Sequence, residues 1–222
     1  MADLACQLSG ATKRFGQRTV VRAMDLAVES GEMVAITGPS GSGKSTILNL
    51  LGLLEPIDEG RLSLFGEAAP KVGSGKATRL LRYRLGYLFQ NFALVDTDTV
   101  DGNLRLAQAY ARTPRARRDA ARRAALERVG MSGAGGQRVY ELSGGEQQRV
   151  AVARLMLKPC DLILADEPTG SLDAVNARMV LTQLQELNAA GKTVIVVTHD
   201  ERVAAACHRT VALQDLREAA PN

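Results

Sequence analysis

Tryptophan is absent from this chain of 222 residues, and aromatic residues make up only 4% of it. Such scarcity counts against a protein that binds single-stranded nucleic acid by stacking bases on aromatic rings. Three cysteines, Cys6, Cys160 and Cys207, are odd in number, scattered along the chain and without the spacing of metal ligands. We therefore expect reduced thiols, as is usual in the cytosol, rather than a disulfide framework.

Long apolar runs are also missing. The N-terminal segment MADLACQLSGATKRFG lacks the charged-then-apolar pattern of a signal peptide. No run approaches the roughly 20 apolar residues that cross a bilayer. The sequence therefore predicts a protein that is soluble by itself and whose membrane role, if it has one, depends on a partner.

The composition, length and net charge of the chain are otherwise ordinary. Hydrophobic residues are 45% and charged residues 23% of the composition, which is typical of a soluble globular protein. The length suffices for one sizeable α/β domain, with or without a subdomain. A net charge of +4 permits contact with nucleic acid or an anionic membrane but argues for neither.

A short apolar run, MVAITG (residues 33–38), has the composition of a strand buried on both faces. It leads into the glycine-rich segment GPSGSGKST and then into the helical pattern STILNLLGLL. Strand, glycine loop and helix together are the context that separates a phosphate-binding loop from a chance match or a mere glycine turn. We predict that a nucleotide is bound by Gly38, Pro39, Ser40, Gly41, Ser42, Gly43, Lys44, Ser45 and Thr46.

Within this loop each residue type has a task. Glycines allow backbone N–H groups to turn toward anionic oxygens at a helix N-terminus. Lys44 would reach the β- and γ-phosphates, and the Ser45 hydroxyl would coordinate Mg²⁺.

Further elements follow from periodicity and turn residues. Residues 19–30 predict a hairpin strand that ends at Gly31, and residues 61–67 predict a strand after a turn at 57–60. Buried parallel strands are predicted at residues 161–167 and 193–200, separated by an amphipathic helix that Gly191 closes. Residues 210–215 predict the last strand.

The middle of the chain, residues 91–158, is rich in helical patterns. It contains an arginine-dense segment, residues 112–130, with Pro114 near its start and Gly130 at its end. A solvated helix face is favoured over a nucleic-acid-binding arm, because Asp119 and Glu127 interrupt the run and no aromatic residues interleave.

Two adjacent acids end the run LILADE. Asp166 can hold Mg²⁺ within reach of Ser45, and Glu167 can orient or deprotonate the attacking water. A solvated strand end is the alternative. His199 follows the strand TVIVV and is either a strand-capping residue or a donor to the γ-phosphate that bridges to Glu167. Its place at the carboxyl end of a parallel strand favours the donor.

Gln90, in YLFQNF, follows a short apolar run. Its amide oxygen is a possible Mg²⁺ ligand and γ-phosphate sensor, although glutamines are common and this signal is weak by itself.

A second serine-glycine turn precedes the helix EQQRVAVARLM. Ser143, Gly144 and Gly145 would form another anion-binding helix N-terminus, unless the serine is an ordinary N-cap. One nucleotide does not easily need two such cradles. We therefore expect the second to serve the γ-phosphate bound by another copy, in a head-to-tail pair with two sandwiched nucleotides.

Taken together, these segments resemble the ATP-binding subunit of an ABC transporter over nearly the whole chain. In the family's order, GPSGSGKST resembles Walker A, Gln90 the Q-loop, LSGGE (with Glu146) the signature, LILADE Walker B, SLD (Ser171 to Asp173) the D-loop, and His199 the switch histidine. The aromatic ring that stacks on adenine would be Phe15.

The resemblance implies an α/β fold: a P-loop NTPase (RecA-like) core with an N-terminal antiparallel β-subdomain and an inserted α-helical signature subdomain. Residues 1–90 and 159–222 would form the catalytic core and residues 91–158 the helical subdomain of one ABC ATPase domain, 1–222. The chain ends soon after His199, so no long C-terminal regulatory domain is expected.

The implied function is ATP hydrolysis coupled to transport, with ATP and Mg²⁺ as cofactors. The implied partners are a second copy, in a homodimer formed on ATP binding, and an integral-membrane permease subunit; no nucleic acid is expected. The place would be the cytoplasmic face of the cell membrane.

Residues 84–104, LSGGEQQRVAVAR and ADEPTGSLD are similar to the macrolide-exporter and lipoprotein-release group of these ATPases, and further to a bacteriocin or antimicrobial-peptide export branch. We therefore expect export or extraction of a peptide, lipoprotein or antibiotic. The alternative is a non-transport ATPase that signals mechanically through a membrane partner, of the cell-division or sensor type. A chromosome-maintenance or repair ATPase is disfavoured because no coiled-coil or zinc insertion separates the motifs.

Overall fold

The computed structural model describes residues 3–111, 113–170 and 172–213. Nine strands are placed there: β1 Leu4–Phe15, β2 Arg18–Glu29, β3 Met33–Thr37, β4 Glu59–Leu64, β5 Glu67–Ala68, β6 Leu85–Leu88, β7 Leu162–Asp166, β8 Thr193–Val197 and β9 Arg209–Ala212. The α-helices there are α1 Lys44–Leu51, α2 Gly75–Tyr83, α3 Val100–Ala107, α4 Arg115–Arg128, α5 Gly144–Leu157, α6 Ala174–Ala189 and α7 Glu201–Ala205. Short 3₁₀ turns lie at Gln108–Tyr110, Ala134–Gly136 and Val139–Glu141.

The strands form two sheets. An antiparallel sheet has the order β2-β1-β4-β5, and a parallel sheet has the order β6-β7-β8-β3-β9. Parallel strands place their carboxyl ends at one edge, where α/β proteins gather ligands. The loops after β3, β6, β7 and β8 therefore meet at that edge.

The central strands β3, β7 and β8 are buried almost throughout. Their side chains alternate between two apolar clusters. Ile163 and Val194 face a cluster with α3, α4, α5 and α6, whereas Leu164 and Ile195 face one with α1 and the antiparallel sheet. Each buried aliphatic side chain contributes about 1.5–3 kcal/mol, so this double burial holds the loop-bearing edge rigid.

Helices α3, α4 and α5 pack together beside the core. The arginine-dense segment forms α4, with Arg115, Arg117 and Arg123 exposed, as the solvated-face interpretation predicts. Arg122 differs: it is buried and pairs with Asp101 and Asp119. Among the described residues, no helix is long and apolar enough to cross a membrane.

Several elements differ from the sequence predictions. Strand β1 escaped notice because register shifts against both neighbours disturb its alternation. Helix α2 was not predicted, although Ala77 is buried and Leu80 and Leu81 pack, partly buried, against the same apolar cluster. Gly60, predicted in a turn, lies within β4. The last strand begins at Arg209 and ends at Ala212, while residues 214–215 of the predicted strand lie outside the described part.

Candidate functional site

A cavity of about 760 Å³ opens at the carboxyl edge of the parallel sheet. Most of the predicted site residues line it together, although they come from distant parts of the chain. They are Phe15, Gly38, Pro39, Ser40, Gly41, Gly43, Lys44, Ser45, Thr46, Gln90, Glu167 and His199. The volume is that of a small-molecule site.

The phosphate loop ends in an open helix N-terminus. Gly43 is the N-cap residue of α1, with φ 95°, and among the described residues no side chain caps this helix. A Cβ at Gly43 would lie 2.9 Å from the Val20 carbonyl oxygen, so glycine is required for close approach as well as for the positive φ. First-turn N–H groups have no intrahelical acceptor, and here they remain available to an anion.

Lys44 bends back over this loop. Its Nζ donates to the carbonyl oxygens of Gly38 at 2.7 Å and Pro39 at 3.0 Å. The side chain is buried, and the ammonium therefore sits inside the cradle. These neutral acceptors can be exchanged for phosphate oxygens, with which a charged hydrogen bond is stronger.

Ser45 and Asp166 meet although 121 positions separate them. The Ser45 hydroxyl donates to Asp166 Oδ1 at 3.0 Å. Burial raises the pKa of Asp166, and the nearby Glu167 charge adds to this, while the Ser45 hydrogen bond and Lys44 oppose it. A partly buried carboxylate beside a hydroxyl is an oxygen donor pair of the kind that Mg²⁺ takes, so the residues present fit that ion.

Glu167 is held in an unusual conformation. Its φ is 44°, and its N–H extends the sheet by donating to the Val197 carbonyl oxygen at 2.9 Å. Oε1 lies 2.9 Å from His199 Nδ1. Oε2 is buried and has no hydrogen-bond partner within residues 3–111, 113–170 and 172–213.

The positive φ of Glu167 and its buried Oε2, which has no partner among the described residues, both indicate a functional residue. A left-handed φ in a non-glycine residue costs on the order of 1–3 kcal/mol and is concentrated at functional sites. The Glu167 side chain is 12% exposed and the His199 side chain 70% exposed. Glu167 thus offers a carboxylate oxygen as an acceptor, and the His199 imidazole that contacts this carboxylate remains accessible from the cavity.

Gln90 and Phe15 form other walls of the cavity. Gln90 is exposed in the turn that follows β6, and Phe15 is the last residue of β1, 48% exposed. Lys13 Nζ lies 5.1 Å from the Phe15 ring centroid. An exposed ring at the mouth of the cavity offers a flat face to a purine base.

The signature residues lie elsewhere. Among the described residues that line the cavity, none belongs to the segment 143–146. Ser143 caps α5: its Oγ accepts from the Glu146 N–H at 3.4 Å, while its own hydroxyl and N–H donate to Glu146 Oε2 at 2.7 Å and 2.9 Å. The Ser143 hydrogen bonds lower the pKa of Glu146.

Two helix starts face one another here. Asp173 caps α6 by accepting from the N–H groups of Val175 and Asn176, both at 2.9 Å. Asn176 lies against Gly145, since a Cβ at that glycine would be 3.2 Å from Asn176 Nδ2. Ser171, the first residue of the predicted SLD motif, lies outside the described residues.

Sequence reasoning missed Arg18, Val20 and Gly170, which also line the cavity. Arg18 and Val20 come from the antiparallel sheet, whose sequence carries no phosphate signal. Ser42, a predicted loop residue, is buried and faces a small separate cavity with Val21 and Met24. Its position in the motif gave no indication of this inward orientation.

A strand, a glycine loop and a helix at the carboxyl edge of a parallel sheet, with acids from a neighbouring strand, define the P-loop NTPase fold. The chain belongs to the ABC transporter family, which matches residues 21–170. It is therefore an ATP-binding cassette with ATPase activity.

Two relatives show the extent of the similarity. The pyoverdine export ATP-binding/permease protein PvdT of Pseudomonas syringae pv. tomato (strain ATCC BAA-871 / DC3000) is 40% identical over 213 residues, which are 94% of this chain and 32% of that protein. The macrolide export ATP-binding/permease protein MacB of Rhodopseudomonas palustris (strain HaA2) is 42% identical over 219 residues, 97% of this chain and 34% of that protein. The chain thus spans about a third of the length of these relatives.

Solved structures agree on the fold. A dimeric structure of MJ0796, a bacterial ABC transporter cassette, superposes with a TM-score of 0.86 at 33% identity and covers 93% of both chains. A dimeric post-hydrolysis state of the same cassette, bound to ADP and Pi, has a TM-score of 0.84 at 32% identity and the same coverage.

Proposed function

We propose that this cassette binds and hydrolyses Mg-ATP as the motor of an export transporter. One observation carries the proposal: a single cavity is lined by Lys44, Ser45, Glu167 and His199, with Asp166 hydrogen-bonded to Ser45, whereas Ser143 lies outside it. The cavity thus holds the groups for binding and attack, and a second cradle is left for another nucleotide.

The chain's own groups divide the chemistry. Lys44 leaves the carbonyls of Gly38 and Pro39 for the β- and γ-phosphates, and the open N-terminus of α1 binds the same anion. Phe15 stacks on the base. Ser45, Asp166 and Gln90 would hold Mg²⁺, which would supply positive charge to the phosphates.

Hydrolysis needs an oriented water. Glu167 Oε2 is the buried acceptor with no partner in the described part of the chain, so it can take a proton from water. His199 Nδ1 holds the other carboxylate oxygen in place. From its exposed position, the imidazole can also donate to the γ-phosphate.

The second cradle requires a second copy. In a head-to-tail pair with two-fold symmetry, Ser143, Gly144, Gly145 and Glu146 of each chain would contact the nucleotide held by the other, with Asp173 beside them. The dimeric form of MJ0796 supports this arrangement for a cassette of the same fold.

Coupling to a membrane permease is supported by the names of the relatives, which are export ATP-binding/permease proteins. They exceed this chain threefold in length, so their remaining part has no counterpart among its residues. We assign the cassette to the cytoplasmic face of the membrane and to export of a peptide, lipoprotein or antibiotic. Closure of the two copies around the nucleotides would pull on permease subunits docked beside Gln90.

The Glu167→Gln variant tests the proposal. Gln keeps the size of the side chain but cannot accept a proton, so steady-state ATP hydrolysis should fall by about 100-fold or more. ATP binding should persist, and gel filtration should show an ATP-dependent dimer. Glu186→Gln removes an exposed ion pair with Arg128, remote from the cavity, and should change neither property. Wild-type hydrolysis by Glu167→Gln would show that this residue is not the base.

A further inference from the structure

Helix α5, which begins at the signature turn, also holds the segment that carries Gln90. The guanidinium of Arg154, three turns along this helix, donates to the carbonyl oxygen of Phe92 at 2.7 Å and also to that of Ala93. Both carbonyls lie within three residues of Gln90. One side chain therefore connects the two motifs.

The segment that Arg154 holds is strained. Phe92 and Ala93 have φ values of 62° and 48°, which are left-handed conformations in residues other than glycine. Such conformations persist only where the surroundings impose them. The two charged hydrogen bonds go to the carbonyls of these two residues, so Arg154 is the side chain best placed to impose the turn.

A second contact lies at the other end of α5. A Cβ on Gly144 would be 3.9 Å from Cζ of Phe92, so the Phe92 ring packs beside the signature turn. The Gln90 segment is thus attached to α5 at the start of the helix through Phe92 and near its end through Arg154. These positions are about 15 Å apart along a rigid helix.

The same helix reaches the loop that follows Glu167. Gln148 is buried and its Nε2 donates to the Pro168 carbonyl oxygen at 2.7 Å. Displacement of α5 would therefore move residues on two sides of the cavity, at Gln90 and next to Glu167.

We propose that Arg154 is a positioning residue that fixes Gln90 relative to the signature helix, so that engagement of Ser143 with a partner's nucleotide is transmitted to the chain's own site. The inference rests on the proposed dimeric ATPase. Arg154 is not among the described residues that line the cavity. Its loss should leave ATP binding intact and slow the hydrolysis that follows it.

A purely structural role is the competing explanation, and Lys158 provides the matched control. It follows the end of α5, and its Nζ donates to the carbonyl oxygens of Leu81 and Leu85, both at 2.6 Å. The bonds are thus of the same type, from a half-buried cation to two backbone carbonyls, but they hold Leu81 in α2 and Leu85, the first residue of β6, rather than the turn after Gln90.

The experiment compares Arg154→Gln, Arg154→Lys and Lys158→Gln in the full chain. For Arg154→Gln we expect kcat for ATP to fall about tenfold or more, because charged hydrogen bonds are lost, while KM changes less than about twofold. Arg154→Lys retains the charge and should recover part of kcat. Lys158→Gln should lower thermal stability with kcat unchanged. Equal kcat in wild type and Arg154→Gln, or equal losses in Arg154→Gln and Lys158→Gln, would overturn the proposal.

A spectroscopic measurement separates this inference from the proposed function. The chain has no tryptophan, so Asn91→Trp places a single reporter on the exposed position next to Gln90. Added Arg154→Gln should lower the steady-state fluorescence anisotropy of this tryptophan, because the segment becomes more mobile, and Lys158→Gln should not. Unchanged anisotropy with Arg154→Gln would overturn the positioning role even if kcat fell. A wild-type chain that did not hydrolyse ATP would refute the ATPase assignment, whereas the anisotropy result would still decide whether Arg154 fixes the segment.

Discussion

Two helix N-termini in this molecule are predicted to bind phosphate, and they are capped differently. Helix α1 starts at Gly43 and has no side-chain cap among the described residues. Helix α5 starts at Ser143, which forms a reciprocal capping box with Glu146. The first N-terminus is left open to an anion, while in the second the N–H groups of Ser143 and Glu146 already have side-chain acceptors.

The carboxylic acids near the two helices also differ, in the direction in which folding shifts their pKa. Burial raises the pKa of Asp166, so its charge is costly in the folded chain. Hydrogen bonds from Ser143 lower the pKa of Glu146, so its charge is favourable there. A bound cation would compensate the charge of Asp166 near α1. The charge of Glu146 at α5 is already compensated by hydrogen bonds within the chain.

This difference predicts which N-terminus binds nucleotide first. The α1 cradle can accept nucleotide without giving up helix caps. In the proposed dimer, the α5 cradle has to exchange the Ser143–Glu146 hydrogen bonds for a phosphate that the partner presents. We therefore expect the open α1 N-terminus to bind nucleotide before the capped α5 N-terminus does.

The largest expected effect is that of Lys44→Ala at the open N-terminus. Removing the buried ammonium should weaken binding of Mg-ATP to the monomer on the order of 100-fold, as measured by titration calorimetry. Lys192→Ala is the control, because Lys192 also donates to a backbone carbonyl, that of Cys160, away from the cavity. Unchanged affinity in Lys44→Ala would remove the basis of the comparison.

Ser143→Ala should have the next largest effect and act only on the closed N-terminus. We expect unchanged ATP affinity of the monomer, but ATP hydrolysis lowered about tenfold, since a donor to the partner's γ-phosphate is lost. The lost cap should also cost about 1 kcal/mol of stability.

The control variant Ser74→Ala separates the loss of stability from the loss of ATP hydrolysis expected for Ser143→Ala. Ser74 is the N-cap of α2 and accepts from the N–H of Ala77 at 3.2 Å. Its loss should cost similar stability without a change in hydrolysis. Weaker ATP binding to monomeric Ser143→Ala would mean that both cradles serve one nucleotide.

Sequence was sufficient for the open site because its signals are local. The run of residues 38–46 and the strand before it predict the cradle directly, and the buried strands β3, β7 and β8 follow from their continuous apolar composition. The α/β fold with a P-loop core and an antiparallel sheet is confirmed by the structure and its neighbours.

Long-range contacts could not be predicted in this way. The bonds of Arg154 to carbonyls 61 and 62 positions away leave no periodic pattern. The division at residues 90 and 159 and the roles of individual site residues stay predictions. Strand β1 was missed because bulges break its alternation.

A smaller effect, on stability alone, is expected for Asp166→Asn without Mg²⁺ and nucleotide. A carboxylate whose pKa is raised on folding destabilises the fold above that pKa, so the neutral amide should raise the melting temperature near pH 7 by a few degrees. The gain should vanish as pH falls toward the ordinary aspartate value of about 3.9, where both side chains are neutral. Calorimetric melts at several pH values measure it, and a lower melting temperature at pH 7 would contradict the argument.

The smallest effect, of opposite sign, is expected for Glu146→Gln. Gln can still close the capping box, but the favourable charge at the N-terminus of α5 is lost, so the melting temperature near neutral pH should fall by about 1–2 °C. A carboxylate with a lowered pKa stabilises the fold above its unfolded pKa and loses that contribution as pH falls through the folded value. The difference from wild type should therefore disappear in acid, and raised salt should shrink it. Shifts of the same sign in Glu146→Gln and Asp166→Asn would show that the two N-termini are not electrostatic opposites.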